Sequence, residues 1–353
     1  MSPILRRQTW SQMTATERDA LCQRGLAEIF NSDLRESIGS LIEDVRVRGD
    51  QAVCDALQKF DGITISPSQL RVSADEIAAA SIDPALENAI IDAISHLRAF
   101  NDQLLERSGD WQMEIENGLI AGEKVSPISS VGLFVPSGKA SYPSVAYQLG
   151  VPAIVAGVPN IVLVVPPIPG GNGEVDPAVL VICRLLGITQ VFRINGPAGI
   201  AALGFGTESI PKVRKVVGPG SPAVTLAQVE MQRHGLATMM LLGPTESLVV
   251  ADDTAHVGRL ASDLLIEAEH GTDSSVVLVC TSQDIIDAVA SPQTVISNVL
   301  INCPDGAYGT FVADNSDLGL EKGLVLSSGQ VSEMANPANF FASSINGSPG
   351  DSD

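Results

Sequence analysis

Apolar residues recur at three- and four-residue spacing through most of residues 15–107, which is the period of helices with one buried face. "TATERDALCQRGLAEIF" and "LRESIGSLIEDVRVRGDQAVCDALQKF" carry it. "DPALENAIIDAISHLRAFNDQLLERSG" opens on Asp83 and Pro84, an N-cap and first-turn pair, and closes at Gly109. The period then drops to two. "WQMEIENGLIAGEKV" alternates on either side of Asn117-Gly118, the signature of a two-stranded hairpin. From 131 onward short apolar runs alternate with helical stretches. "VGLFV" leads through a Gly/Pro/Ser loop to "VAYQLG", and "NIVLVV" through "PPIPGGNGEVD" to a helix from Pro177. "QVFRI" precedes "GIAALGF", and "VRKVV" precedes "GPGSPAVTLAQVEM". This β-loop-α succession predicts a parallel sheet with helices on both faces. "ESLVVA" and "SSVVLVC" read as two further parallel strands with a helix between them. "SQDIIDAVA" reads as a helix, "GTFVAD" as one more strand, and the last 28 residues, rich in Ser, Asn and Gly, as a poorly ordered polar tail.

Composition narrows this picture. At 353 residues the chain has room for two domains, and 45% apolar content is that of a globular protein. Only 4% of residues are aromatic, so the core must be built from Val, Ile, Leu and Ala. A formal charge of −20 argues against nucleic acid and against anionic membrane as partners. The five cysteines are scattered without a CxxC spacing, which argues against a disulfide framework and a cysteine zinc site. "MSPILRRQTW" lacks the apolar core of a signal peptide, and no apolar run is long enough to span a bilayer, so a cytoplasmic protein is expected.

Candidate chemistry is sparse. In "LLIEAEHGTD" Glu267 and His270 stand three apart, so on a helix they share a face, with Asp263 one turn back. Such a pair presents a metal in some helices. It is also an ordinary wet helix face, and the stretch alone does not separate the two. A catalytic zinc needs about three protein ligands and an open position, and no histidine follows His270. Gly218–Ser221, "GPGS", joins a strand to a helix; it either brings backbone N–H groups to an anion or simply makes the turn. "PGGNG" at 169–173 departs from the dinucleotide fingerprint and reads as a surface turn. Thr245, entering a strand, is a substrate position or a turn residue. His234 before Gly235 reads as a helix C-terminal residue, His96 as a packed or surface histidine, and His256 has only local acidic company.

The runs "VGLFVPSGKASYPS", "GVPAIVAGVPNIVLVVPP", "GTESIPKVRKVVGPG", "LLGPTESLVVADD" and "DLLIEAEHGTDSSVVLV" together resemble the histidinol dehydrogenase family over roughly residues 15–280. The resemblance implies a zinc- and NAD-dependent homodimer that oxidises L-histidinol through the aldehyde to L-histidine. It also implies two incomplete Rossmann-like domains. Here these are expected at 131–245 and, discontinuously, at 35–130 with 246–325, with an N-terminal helical arm at 1–34 and the tail at 326–353. Matched position by position, the family's zinc-ligating and substrate-contacting Gln and His fall on Glu267 and His270. Its substrate-contacting Ser falls on Thr245, which keeps a hydroxyl. A carboxylate is a competent zinc ligand, but the added charge favours a different alcohol. On the cofactor side the family's Tyr, Gln and Asn become Phe134, Ala198 and Ser221. The family's catalytic Glu-His pair in "PEHL" and its remaining zinc ligands have no counterpart, so no catalytic residue is identified and impaired activity is expected. The alternatives are a dehydrogenase of another polar alcohol and a truncated, inert homologue acting as a scaffold.

Overall fold

The computed structural model describes residues 13–22, 32–136, 142–239, 246–265 and 275–290. These fall into two compact units. The first comprises 32–136 and 142–239, and the second comprises 13–22, 246–265 and 275–290.

A four-stranded parallel sheet forms the centre of the first unit. Its strands are β3 (Val131–Phe134), β4 (Ile161–Val165), β5 (Gln190–Arg193) and β6 (Lys215–Val217), in the order β5-β4-β3-β6. Both faces are covered, as a parallel sheet requires. Phe134, Val162, Val164, Phe192 and Val216 pack toward α2 (Ser32–Arg48), α3 (Asp50–Asp61), α8 (Gly196–Phe205) and α9 (Pro222–Met231). Val131, Leu133, Leu163, Val165 and Val191 face the other way, toward α4 (Ala74–Ala79), α5 (Pro84–Arg107), α6 (Pro143–Val155) and α7 (Pro177–Leu186). Most of these strand side chains are essentially inaccessible to solvent. Each fully buried Val, Leu or Ile contributes about 1.5–3 kcal/mol relative to exposure.

Local chemistry sets the helix ends. The Asp83 carboxylate accepts from the N–H groups of Ala85 (2.8 Å) and Leu86 (3.4 Å) ahead of Pro84, as the sequence predicts. Asp176 does the same for α7 through the Ala178 N–H, and burial holds its carboxyl above the ordinary aspartate range. Helix α6 runs through Pro152. Gln148, whose carbonyl loses its partner to that proline, lies on the exposed side, where water replaces the missing N–H. Cys183 and Cys54 are core residues, and burial raises their thiols to about 12 and about 11.

The helices within 35–130 pack on the two faces of this sheet within the first unit. The sheet's outer strands are each bridged by a short segment. The Val72 N–H donates to the Val191 carbonyl and the Arg193 N–H to Leu70, while the Val216 N–H donates to Ala237 and the Ala237 N–H to Arg214. The hairpin β1 (Trp111–Glu116) and β2 (Leu119–Glu123) turns at Asn117-Gly118, antiparallel as expected, with a bulge between Glu114 and Glu116. In the second unit, described by itself, β7 (Glu246–Ala251) pairs in parallel with β8 (Ser275–Cys280). Helix α10 (Val257–Leu265) crosses between them and α11 (Gln283–Val289) follows; α1 (Ala15–Cys22) is the N-terminal helix. Leu260, Ala261 and Val289 form this unit's small core. The "GTFVAD" strand and the 326–353 tail lie outside the described residues.

Candidate functional site

The strand order places a switch point between β3 and β6. From β3 the chain winds outward through β4 and β5, then returns across β3 to lay down β6 on its far side. In an open α/β sheet, ligands bind outside the carboxyl ends of the strands at such a point. Two loops border it here. One follows Phe134 at the end of β3, and the other is Gly218–Ser221 at the end of β6. They touch closely: Gly218 has φ +140°, and a Cβ there would stand 2.1 Å from the Phe134 carbonyl oxygen. Only glycine fits both the dihedral and the approach.

Behind that loop the buried Gln228 amide donates from Nε2 to the Gly218 carbonyl at 3.0 Å, while its Oε1 is buried without a protein partner. The Ser221 hydroxyl caps α9, accepting from the Val224 N–H at 3.4 Å, with Pro222 in the first turn. Helix α8, which follows β5, begins differently. Asn195 makes no side-chain cap; its Nδ2 donates to Asp61, whose carboxyl is raised by burial against the lowering effect of that bond. The α8 N-terminus therefore presents the Gly196 and Ala198 N–H groups without a side-chain acceptor, Pro197 between them having none to offer, and such groups attract phosphate.

Of the three positions expected on the cofactor side, Phe134 and Ala198 are buried, and Ser221 is exposed. The Phe134 ring lies under the first turn of α8, with Cε2 3.8 Å from where a Cβ on Gly199 would be. Neither Phe134 nor Ala198 carries a polar side-chain group, and the Ser221 hydroxyl is already engaged by its helix. What remains to hold a nucleotide is backbone: the Gly218–Gly220 loop and the open first turn of α8.

Thr245, Glu267 and His270 lie outside the described residues. Among the described residues no three His, Cys, Asp or Glu side chains converge as a metal site. The "PGGNG" segment is a turn, as read from the sequence, closed by the Ile168 N–H to Glu174 and the Gly171 N–H to Ile168. His234 ends a short 3-10 turn before Gly235 and meets the Phe205 ring edge-on at 5.0 Å. His256, which the sequence left with acidic neighbours, accepts the Arg259 N–H through Nδ1 at 3.3 Å, at the start of α10. The sequence reading missed Gln228 and the ion pair of Arg193, at the end of β5, with Glu76 at 2.6 Å. Burial acts to raise Glu76, but the Ser73 N–H and Arg193 outweigh it and hold the carboxyl below its ordinary range. Neither residue belongs to a periodic pattern, so spacing gave no signal for them. Among the described residues no helix is long and apolar enough to cross a membrane.

Comparison with known proteins gives a consistent result. The model of the histidinol dehydrogenase family matches residues 26–305. A histidinol dehydrogenase homolog of Colwellia psychrerythraea is 38% identical over 279 residues, covering 78% of this chain and 61% of that protein. The histidinol dehydrogenase of Xanthomonas campestris is 41% identical over 283 residues, covering 79% and 64%. The crystal structure of histidinol dehydrogenase from Elizabethkingia anophelis superposes with a TM-score of 0.75 at 32% identity, over 93% of this chain and 72% of that one. The chain thus spans about three fifths of the length of the curated relatives it matches.

Proposed function

This chain belongs to the histidinol dehydrogenase family, whose members are in general NAD-dependent and zinc-containing oxidoreductases, and on that premise we propose that it is a cytoplasmic, homodimeric, NAD-linked dehydrogenase of L-histidinol. The observation that carries the nucleotide part is the switch point between β3 and β6, where Gly218 meets the Phe134 carbonyl beside the uncapped first turn of α8. NAD would supply the hydride acceptor, and zinc a Lewis acid at the alcohol oxygen.

The chain's own residues do the holding. The Gly196 and Ala198 N–H groups of the α8 first turn and those of Gly218 and Gly220 are the donors offered to the pyrophosphate. The Phe134 ring supports that turn from below, and Ser221 keeps α9 in place. Glu267 and His270 are the metal-side pair, and the Thr245 hydroxyl contacts the substrate. Each oxidation also releases a proton, and the second consumes water, so a general base is needed.

Glu267 favours a second reading. A carboxylate where the family has an amide adds negative charge beside the substrate, which suits a polar alcohol other than histidinol. One set of measurements tests both: zinc per purified chain, NAD affinity, and NADH formation from histidinol and from a panel of amino alcohols and diols, with His270→Ala alongside. Near-stoichiometric zinc lost in His270→Ala, with NAD binding and histidinol oxidation, supports the first reading. Faster oxidation of another alcohol supports the second. Background zinc in both proteins and no NAD binding would overturn the enzyme reading.

A further inference from the structure

Asn195 stands where a side chain can cap α8, and asparagine is among the residues that do this best. Its backbone is already extended, at φ −118° and ψ 159°, as suits an N-cap residue. Yet the side chain makes no bond to the helix; its Nδ2 donates instead to Oδ1 of Asp61. A carboxylate only accepts, so Asp61 fixes which end of the amide faces it and holds the side chain away from the helix.

Asp61 is poorly placed for stability in two ways. It is the last residue of α3, ahead of the left-handed Gly62, where the helix dipole disfavours a negative side chain. It is also partly buried, and desolvation raises its carboxyl above the ordinary aspartate range although the Asn195 bond acts to lower it. A capping side chain left unused and a carboxylate half out of water break two local rules at one spot, and such spots are where function is expected. The surroundings agree. The Phe134 ring lies under the same turn of α8. Gln228, 2% exposed behind the Gly218 loop that borders the same crevice, keeps its Oε1 without a partner among the described residues.

We propose that Asp61 is a positioning residue for the nucleotide: by engaging the Asn195 amide it keeps that side chain off the α8 N-terminus and leaves the Gly196 and Ala198 N–H groups to a phosphate. The assignment rests on the nucleotide reading above and explains how its helix end stays open. Asp61 acts only through Asn195. A phosphate and the Asn195 Oδ1 compete for the same donors, so the strength of a cap sets the size of the effect. A side-chain cap contributes about 1 kcal/mol, and at about 1.4 kcal/mol per factor of ten a phosphate that must displace one binds about 5-fold more weakly. Stability moves the other way. Asp61→Ala relieves the dipole and desolvation penalties and frees Asn195 to cap α8, so the urea midpoint should hold or rise while NAD affinity falls. A purely structural Asp61 would give the reverse, a lower midpoint with the affinity of the folded protein unchanged.

The test is NAD affinity by calorimetric titration, with the urea midpoint alongside, for the full-length chain as wild type, Asp61→Ala, Asp61→Asn, and Asp61→Ala combined with Asn195→Ala. Asp61→Ala is expected to bind NAD about 5-fold more weakly than wild type. Asp61→Asn drops the charge but keeps an acceptor for Asn195, and is expected to bind at least as tightly as wild type. The double variant has neither side chain at the helix end, and is expected to recover what Asp61→Ala lost. Asn195→Ser against Asn195→Ala is a second route should Asp61→Ala fail to fold. A serine hydroxyl caps a helix and an alanine methyl cannot, so the serine variant should have the higher midpoint and bind NAD about 5-fold more weakly than the alanine one. A wild type that binds no NAD overturns the nucleotide reading and this proposal with it. NAD binding by wild type with undiminished affinity in Asp61→Ala, an equal loss in Asp61→Asn, or no recovery in the double variant overturns the role of Asp61 and leaves the nucleotide reading standing.

Discussion

Gly218→Ala tests the closest contact of the candidate site. The new Cβ would lie 2.1 Å from the Phe134 carbonyl oxygen, at least roughly 1 Å inside any tolerable separation, and both atoms belong to backbone that no rotamer change can relieve. Three terms follow. Holding Ala at φ +140° costs about 1–3 kcal/mol. Displacing the loop to clear Phe134 costs about 1–3 kcal/mol as overpacking. If the displaced loop also gives up the 3.0 Å bond from Gln228 Nε2, a buried amide already lacking a partner at Oε1 loses its other one, for about 1–3 kcal/mol more. Because relaxation shares these terms, the expected total is about 3–6 kcal/mol. Gly62→Ala is the control, since Gly62 has φ +69° and no neighbour within 4 Å, so only the left-handed backbone term of about 1–2 kcal/mol applies. At a urea slope of about 2 kcal/mol/M, Gly218→Ala should lower the unfolding midpoint of the first unit by about 1.5–3 M and Gly62→Ala by under about 1 M. Far-ultraviolet circular dichroism reads both. Equal shifts in the two variants would refute the close approach of β6's loop to β3, and with it the geometry of the proposed nucleotide cradle.

Glu76→Gln should destabilise by about 1–2 kcal/mol near neutral pH, because the largely buried Arg193 loses its carboxylate; the half-exposed Glu76 keeps the figure below that of a fully buried pair. The Glu76 carboxyl is lower in the folded protein than its unfolded value near 4.5, so its contribution is present above that value and is lost as pH falls through the folded one. The difference between wild type and variant should therefore close in acid, and a gap constant across urea melts from neutral pH to pH about 3 would contradict this. Ser221→Ala should cost about 1 kcal/mol through the lost α9 cap, whereas Ser221→Asn keeps a capping side chain and should be near neutral. If the position also borders the nucleotide, Ser221→Asn strengthens NAD binding in a titration; identical NAD affinity in all three proteins would confine Ser221 to its cap.

What the sequence made legible was whatever repeats. The β-loop-α rhythm from 131 onward, the Asn117-Gly118 hairpin and the Asp83-Pro84 cap all follow from rules confined to a dozen residues, and the fold reproduces them. Strand order and unit boundaries depend on contacts between distant segments. No local period reports that Ile38 and Ile42 pack under the same sheet as Val216, and so the helices before 130 could not be assigned to that sheet in advance. The site divides in the same way. "GPGS" was visible as a loop, but not that Gly218 abuts Phe134 or that Gln228 reaches back ten residues to hold it. Phe134 and Ala198, picked out by resemblance, are core positions whose side chains carry no polar atom.

The segments that bridge β5 at Arg71 and β6 at Ala237 have a consequence beyond packing. A parallel sheet made largely of Val, Leu and Ile is a template for further strands wherever its last ladder is open. Here each terminal strand already donates or accepts its outward hydrogen bonds within the same unit, through a contact only one or two residues long. Such a clasp is too short to recruit a strand of its own, yet it occupies the bonds that a strand from another molecule would need. This four-stranded sheet is thereby protected against runaway edge-to-edge growth at both of its ends.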